Sequence, residues 1–366
     1  MLNFSGHLEA ALAACELDAR FRLDDAEGWD RVWQALPYQP VAYSTPMIEY
    51  QLEYFGGVGW MLEDVSLVLR NDGHPCGLWP LAMGGPPGEA RLSSNGGAVF
   101  APVFVEGLSP RTQKRLCSAV LRLMRRLSEE ISSPPPIAQQ GIQPSLCCLG
   151  ATEWHHQCLA VGAHLTTRHE LYTDLQPPFS EIRAGFRKSF RPLINVGLKE
   201  WSVFDMDHRS ATANVWAEFR RLHHAAAGRK TRSDRTWDIQ FEMLCAGHAF
   251  LVGLRDRYDA RLVGAGFFQT TRDEGMYAVA AYDRALFEKP LGHVVQQRAI
   301  ELMKSRGISW YHIGERPYPQ DIPGPSDKQL GIAAFKQGFA SHQFCSYRFA
   351  LPPLDESHRD IRNDRE

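Results

Sequence analysis

Apolar residues follow two spacings along this chain, and the two spacings alternate in a regular order. Short apolar runs, typical of buried strands, alternate with segments whose apolar residues recur every three or four positions, as on one helix face. The clearest unit begins with an apolar run at Met276–Tyr282 and a loop. A helix from Gly292 to the C′ glycine Gly307 follows, and a second run at Ser309–Ile313 ends the unit. Because the loop and helix N-terminus follow a strand, free N–H groups and the helix dipole favour anionic ligands there.

The same patterns predict elements on both sides of this unit. In the first half they predict helices near Trp29–Leu36, Met47–Phe55, Ser109–Glu130 and Glu153–Val161, a hairpin of Val65–Arg70 and Cys76–Leu81, an irregular strand within Arg91–Phe104, and strands near Pro144–Leu149 and Arg168–Asp174. In the second half they predict helices over Glu181–Leu198 (capped by Ser180), Ala211–Ala227, Trp237–Ala246 and Ile332–Phe339, and strands over Glu200–Phe204, Ala249–Arg255, Arg261–Gln269 and Phe344–Leu351.

The two halves repeat the same order of landmarks. The run VSLVLR at Val65 corresponds to FLVGLR at Phe250, and each precedes a turn and a returning strand. LRLMRR at Leu121 likewise corresponds to IELMKS at Ile300, inside the next long helix. Any two α/β units share some of this order, which leaves coincidence as the alternative. We expect an internal duplication, with domains at 1–175 and 176–352, the first degenerate, and a charged, disordered tail at 353–366.

Composition limits the class of protein more than it identifies it. The chain has 366 residues and a formal net charge of −2, so no global field directs it to nucleic acid or a membrane. Its eight cysteines form no CxxC pair and no metal-ligand spacing with the histidines, and we expect reduced thiols in a cytoplasmic protein. The N-terminus has no secretory pattern, and no run of 18 apolar residues is long enough to span a bilayer.

Several segments resemble one acyltransferase family. They are Phe250–Gln269, Tyr277–Tyr282, the helix Gly292–Arg306, WYHIG at Trp310–Gly314, LGIAAFKQG at Leu330–Gly338, and the basic helix FRKSFRPLINVGLK at Phe186–Lys199. Together they resemble the Fem-like branch of the Gcn5-related N-acyltransferase superfamily, with His312 where the family motif has Asp. The resemblance implies an α/β fold of two tandem acyltransferase-like domains with mixed sheets flanked by helices. It also implies acyl or aminoacyl transfer to an amine, from acyl-CoA or aminoacyl-tRNA.

Candidate catalytic residues follow from this resemblance and from strand position. Lys336, in the family's F-K pair, is implied to reach the cleft and stabilise a phosphate or an oxyanion; a solvated lysine is the alternative. His312 and Glu315 follow a central strand, and a histidine there suits deprotonation of an amine near neutral pH, unless it is a packed core residue. Tyr311 alternates with His312, so only one of the two faces the cleft.

Candidate donor-binding residues lie in the Met276–Gly314 unit. Backbone N–H groups near Tyr277 and Val279 suit a donor carbonyl, and Lys289, Gly292 and His293 precede a helix that suits a pyrophosphate. The alternative is an ordinary helix start with Pro290. The acyl-CoA enzymes usually have a loop richer in Gly and Arg here, which keeps aminoacyl-tRNA open as the donor.

Candidate acceptor-binding residues are Arg229, Arg232 and Trp237 in the basic stretch Gly228–Trp237, together with Tyr282. Such a loop can bind phosphate or carboxylate oxygens; a solvated loop, in which Asp234 and Thr236 cap the next helix, is the alternative. The basic helix Arg183–Lys199 either contacts tRNA phosphates or lines the groove between the domains. His223 and His224 have no further spaced ligands, so we expect no zinc.

The sequence thus predicts an N-acyltransferase that uses acyl-CoA as co-substrate, with no permanently bound cofactor and no metal. The expected acceptor is an amino group on a small molecule, a sugar or a cell-surface polysaccharide precursor, in polysaccharide or natural-product biosynthesis. Aminoacyl transfer from aminoacyl-tRNA is the first alternative. A non-catalytic ligand-binding protein of the same fold is the second.

Overall fold

The computed structural model describes residues 4–94, 96–134, 136–140 and 152–353. The strand predicted near Pro144–Leu149 and the tail predicted at 353–366, except for Pro353, lie outside the described residues.

Helices and strands alternate through most of the described chain. The helices are α1 (Phe4–Ala14), α2 (Ala26–Ala35), α3 (Thr45–Gly56), α4 (Pro110–Glu130), α5 (Glu153–Ala160), α6 (Phe179–Gly185), α7 (Phe190–Glu200), α8 (Ala213–Ala227), α9 (Asp234–Cys245), α10 (Leu291–Ser305) and α11 (Asp327–Gln337). The strands are β1 (Ala19–Phe21), β2 (Met61–Asp64), β3 (Leu67–Asn71), β4 (His74–Trp79), β5 (Ala82–Gly85), β6 (Arg91–Ser93), β7 (Val99–Phe100), β8 (Val103–Phe104), β9 (Ile137–Gln140), β10 (His164–Asp174), β11 (Trp201–Met206), β12 (Ala249–Asp256), β13 (Leu262–Thr270), β14 (Glu274–Tyr282), β15 (Trp310–Glu315) and β16 (His342–Ala350).

One long sheet runs through both halves of the described chain, in the order β11-β12-β13-β14-β15-β10-β16-β9-β7. Its neighbours are antiparallel except for the parallel pairs β14–β15 and β7–β9. Two smaller sheets, β1-β3-β4-β8 and β2-β5-β6, complete the first half. The sheet is therefore mixed, as the predicted fold class requires.

The last strands of the two halves are exchanged in this sheet. β10, from the first half, lies between β15 and β16, and β16, from the end of the chain, lies between β10 and β9. Their side chains follow them: Phe349 of β16 packs in the core of the first half, and Leu171 of β10 packs in the core of the second. Each half is thus completed by a strand of the other.

Helices cover both faces of the second half's sheet because its strands alternate apolar residues on the two sides. Phe250, Val252 and Leu254 of β12 face a core shared with α6, α7 and α10, whereas Leu251 faces a core shared with α8, α9 and α3. The apolar face predicted for the helix after Gly292 is confirmed as the buried face of α10, except that Leu302 is only partly buried.

Two elements predicted as continuous are divided in the structure. The helix predicted over Glu181–Leu198 is interrupted between α6 and α7, and Pro178, not Ser180, is the N-cap of α6. The interruption arises because Phe186 takes an extended backbone, so that its ring and that of Phe190 both pack on Phe339 (centroids 5.1 and 5.0 Å apart). The single strand predicted within Arg91–Phe104 is three short strands, β6, β7 and β8.

Candidate functional site

The strands β14 and β15 separate in the middle of the long sheet. Their parallel pairing starts at Glu274 and ends at Met276, which is opposite His312, and no further pair joins them among the residues described. β14 stays paired with β13 as far as Tyr282. A gap therefore opens between two central strands, and the β14 backbone that borders it has no partner strand on that side.

Both bordering strands carry an irregularity at the level of this gap. In β14 the register against β13 shifts between Tyr277 and Val279, which makes Ala278 an extra residue. In β15 the register against β10 shifts between His312 and Gly314, which makes Ile313 an extra residue. Such bulges bend a strand and redirect its side chains, and they are common beside active sites.

A histidine between two carboxylates lies at the base of the gap. The Nε2 atom of His312 is 3.0 Å from Oε2 of Glu170 on β10, and its Nδ1 atom is 3.8 Å from Oε1 of Glu274 on β14. The hydroxyl of Tyr38 donates a 2.9 Å hydrogen bond to Oε2 of Glu274. Tyr172 stacks on the imidazole (centroids 4.7 Å apart, planes at 14°). We call Glu170, Glu274, His312 and Tyr38 the acid–base cluster.

Burial sets the charge preferences of this cluster. Burial raises the pKa of Glu274 to about 7, although the charge of His312 and the hydrogen bond from Tyr38 lower it. Burial acts to lower the pKa of His312, but the hydrogen bond and charge of Glu170 overcome it and the net shift is upward. The pKa of Glu274 thus lies near neutral pH, where a buried carboxyl can act as a general acid or base.

Lys336 and Glu315, two predicted catalytic residues, lie beside this cluster. The Nζ atom of Lys336 is 5.4 Å from the centroid of the Tyr277 ring, and burial lowers the pKa of its ammonium. Burial, followed by the charge of Glu170, raises the pKa of Glu315. The charge of Lys336 also acts on His312. The structure thus brings together the three residues that the sequence nominated as catalytic.

Gly314 makes room for Lys336. Its φ is +130°, a conformation that side chains disfavour, and a Cβ atom there would lie 2.6 Å from Nζ of Lys336. The backbone conformation favours glycine at this position, and a Cβ atom would require the end of the Lys336 side chain to shift.

Three cluster members were missed by the sequence analysis: Glu170, Glu274 and Tyr38. Glu274 precedes the strand predicted from Met276, and Tyr38 lies in a weakly patterned segment of the first half. Glu170 lay inside a predicted strand. A carboxylate is uncommon in a buried strand, and this was the only signal in the sequence that could have identified Glu170. Only the strand exchange brings Glu170 to His312.

Tyr277 and Gly292, two predicted donor-binding residues, lie beside Tyr282, which was predicted to bind the acceptor. The hydroxyls of Tyr277 and Tyr282 lie 3.3 Å apart, and Gly292 lies against Tyr282 and Phe335, so that a Cβ would be 3.1 Å from the Phe335 ring. Val279 has its side chain buried toward α8 and α9, so only its backbone can serve a donor carbonyl.

The two cationic donor candidates have other partners. Lys289 forms an ion pair with Glu200 at the end of α7, so a phosphate bound by this lysine would compete with that carboxylate. His293 packs edge-on against Phe190 and Phe335 (centroids 4.6 and 5.1 Å away), and burial lowers its pKa. The pyrophosphate site at this helix start therefore stays a prediction, with Lys289 paired and His293 packed among aromatic rings.

The acceptor candidates also divide. Trp237 is fully buried against α8, so its ring presents no exposed surface to an acceptor. Arg229 is exposed, and Arg232 is partly buried with its guanidinium over the Trp237 ring. The cap of α9 is Ser233, not Asp234, which instead pairs with Arg220 and Lys230.

Arginines of the predicted basic helix are used in packing. Arg183 donates to Gln297 and Asn195, and Arg187 donates from its side chain to the carbonyl of Ala334 on α11. Lys188 is exposed. Within the described segments there is no grouping of three or more His, Cys, Asp or Glu that suits a metal, and no helix is long and apolar enough to cross a membrane.

Comparison with known proteins finds likeness in structure alone. No family profile and no curated protein matches the sequence. FemX superposes with a TM-score of 0.63 at 12% identity, over 89% of this chain and 96% of its own. L-PGS from Bacillus licheniformis gives 0.56 at 12%, over 92% and 94%. The C-terminal domain of a candidate lysylphosphatidylglycerol synthetase from Agrobacterium fabrum gives 0.55 at 12%, over 89% and 92%. The chain therefore shares the fold of these proteins, with mixed sheets flanked by helices, as the resemblance predicted.

Proposed function

We propose that this protein is an N-acyltransferase that moves an acyl group from acyl-CoA to an amino group of a small molecule, a sugar or a cell-surface polysaccharide precursor. One observation carries the proposal: the acid–base cluster and Lys336 lie where β14 and β15 separate. The fold that this chain shares with FemX and L-PGS supports the proposal.

The geometry suits each part of the reaction. The acceptor arrives as an ammonium and gives a proton to the acid–base cluster, in which Glu274 titrates near neutral pH. The amine nitrogen then forms a bond to the thioester carbon, and N–H groups of the unpaired β14 edge stabilise the oxyanion. The C–S bond then breaks as the carbonyl re-forms, the nitrogen loses its second proton to solvent, and the departing thiolate takes up the proton held by the acid–base cluster. Lys336, held close to Gly314, supplies positive charge near the developing anion.

The proposal is tested with purified protein and a panel of acyl-CoA donors and amines, in which free thiol is measured. We expect thiol release with at least one pair, and a loss of at least 100-fold in rate for His312→Gln and Lys336→Met. Lys328→Met, an exposed lysine on the same helix as Lys336, is the matched control and keeps the rate. No thiol release with any pair would reject acyl-CoA as the donor.

Aminoacyl-tRNA is the second candidate donor, because residues 283–290 before α10 contain no glycine and Lys289 in this loop is paired with Glu200. Arg187 is unsuited as a probe since it binds α11. Lys188→Glu is the better probe, because it reverses the charge of an exposed lysine on the same segment. A tRNA that binds the protein at low salt, and binds Lys188→Glu several-fold more weakly, would favour this donor; equal binding would reject the basic segment as its site.

A further inference from the structure

A group of buried polar atoms lies where α8 turns into α9, outside the proposed catalytic site. These atoms have no hydrogen-bond partner among the described residues. They are Nδ1 of His223, Nε2 of His224, Oγ1 of Thr231, Nε of Arg232, Nε1 of Trp237 and Nε2 of Gln240. We call these six residues the donor cluster. Unpaired buried polar atoms are costly, so several in one place point to a missing partner.

The charge at the centre of this cluster is also unpaired. Nη1 of Arg232 donates to the hydroxyl of Tyr50 (3.0 Å) and to Oε1 of Gln240 (3.1 Å), and its guanidinium lies 4.9 Å from the Trp237 ring centroid. No carboxylate pairs with it in the described part of the chain. The neighbouring cations do have carboxylate partners: Lys230 pairs with Asp234, and Arg235 pairs with Glu242. A partly buried guanidinium without a counter-charge is unfavourable.

The unpaired atoms are mostly donors. Nε of Arg232 and Nε1 of Trp237 can only donate, and Gln240 directs its oxygen to Arg232, which leaves its NH₂ group as a donor. Burial, followed by the charge of Arg232, lowers the pKa of His223 to about 4, so this ring is neutral at pH 7 and can donate from one nitrogen. A ligand that satisfies this set must accept several hydrogen bonds and carry negative charge.

We propose that the donor cluster binds a phosphate-sized oxyanion between α3, α8 and α9. The proposal does not rest on acyl transfer, because none of the six residues belongs to the acid–base cluster. Bound water is the competing occupant, but water does not neutralise Arg232. The oxyanion is either free phosphate or the phosphate group of a small monoester, and the two differ in the space they need.

The first experiment compares thermal unfolding in inorganic phosphate with unfolding in sodium chloride at equal ionic strength. We expect phosphate to raise the Tm by about 2–4 °C at saturation, and glycerol 3-phosphate to do the same only if the site admits a monoester. Arg232→Gln should abolish the rise, whereas Arg229→Gln, an exposed arginine of the same loop, should keep it. Equal Tm values in the two salts would mean that water fills the cluster and would overturn the proposal.

A second variant keeps the test decisive if Arg232→Gln does not fold. Gln240→Glu places a carboxylate within hydrogen-bond distance of Arg232, at a fully buried position. We expect this built-in anion to raise the Tm without phosphate and to remove the response to phosphate. A Gln240→Glu protein that is destabilised and still gains stability from phosphate would contradict the proposal.

Discussion

Glu274 is a buried carboxylate whose ionisation opposes folding. Burial raises its pKa from an ordinary value of 4.5 to about 7 in the folded protein. Between these values the unfolded chain is ionised while the folded protein retains the proton, so stability falls as pH rises, and the loss is complete above pH 7. The expected cost of ionised Glu274 is up to about 3 kcal/mol.

Glu274→Gln should therefore become more stable relative to the wild type as pH rises from about 4.5 to 7. The measurement is the Tm of both proteins across this range, with Glu288→Gln, an exposed glutamate, as the control. A difference in Tm that stays constant with pH would show that Glu274 ionises freely in the folded state, and the acid–base cluster would lose the carboxyl that titrates near neutral pH.

Gly314 and Lys336 should depend on each other. Gly314→Ala puts a Cβ atom 2.6 Å from Nζ of Lys336 and forces a side chain onto a φ of +130°, which should cost about 1–3 kcal/mol. In the Lys336→Ala background the clash disappears and only the backbone strain remains, so the same substitution should cost less. Urea unfolding of the two single variants and the double variant measures this difference; equal costs in both backgrounds would place Lys336 elsewhere.

Single residues also mark the limit of prediction from sequence for the site. Lys336, His312 and Glu315 could be nominated because motif and strand position are local properties of the chain. Glu170 and Tyr38 could not, because their proximity to His312 and Glu274 depends on how the halves are assembled. Lys289 and His293 were nominated as residues before a helix, but α10 begins at Leu291 and already contains His293. Their partners in the structure, Glu200 and Phe190, are distant in sequence.

The interruption between α6 and α7 shows that the bounds of helices and strands are also only partly predictable from the sequence. Most element types follow from apolar spacing, and the hairpin β3–β4 follows from its Asn-Asp-Gly turn. The segment from Glu181 to Leu198 has a helical pattern throughout, yet tertiary contacts of Phe186 and Phe190 with Phe339 break it. Propensity is a weak prior where such contacts compete with it.

The residues between α6 and α7 contact the end of α11, and Arg187 makes these contacts. Its backbone N–H donates to the carbonyl of Gly338, its side chain donates to that of Ala334, and its guanidinium lies over Phe190. Arg187→Ala should lower the stability by about 1 kcal/mol, or the Tm by roughly 2–4 °C. Lys188→Ala, one residue along and exposed, should leave it unchanged. Equal effects in a thermal unfolding experiment would mean that Arg187 is a surface charge like its neighbour.

At the scale of the molecule, the exchanged strands make the two halves depend on each other. β16 brings Phe349 into the core of the first half, although it is the last described strand, and β10 brings Leu171 and Glu170 into the second. The repeat in the sequence predicted two similar units but not this exchange. The last strand of each half has the same kind of apolar pattern whether it pairs within its own half or with the other half. The acid–base cluster is accordingly built from both halves, with Tyr38 and Glu170 from the first and Glu274 and His312 from the second.

Exchange of this kind predicts one cooperative unfolding transition for the chain. Phe349→Ala, in the core of the first half, and Ile300→Ala, in the core of the second, each remove a fully buried side chain and should cost about 3–5 and 2–5 kcal/mol. Because either core needs a strand of the other half, both variants should move the same calorimetric transition to lower temperature. Two resolved transitions, each shifted by only one of the variants, would instead describe independent domains. The proposed site, which needs both halves, would then lose its Glu170 and Tyr38 contacts as soon as the weaker half unfolds.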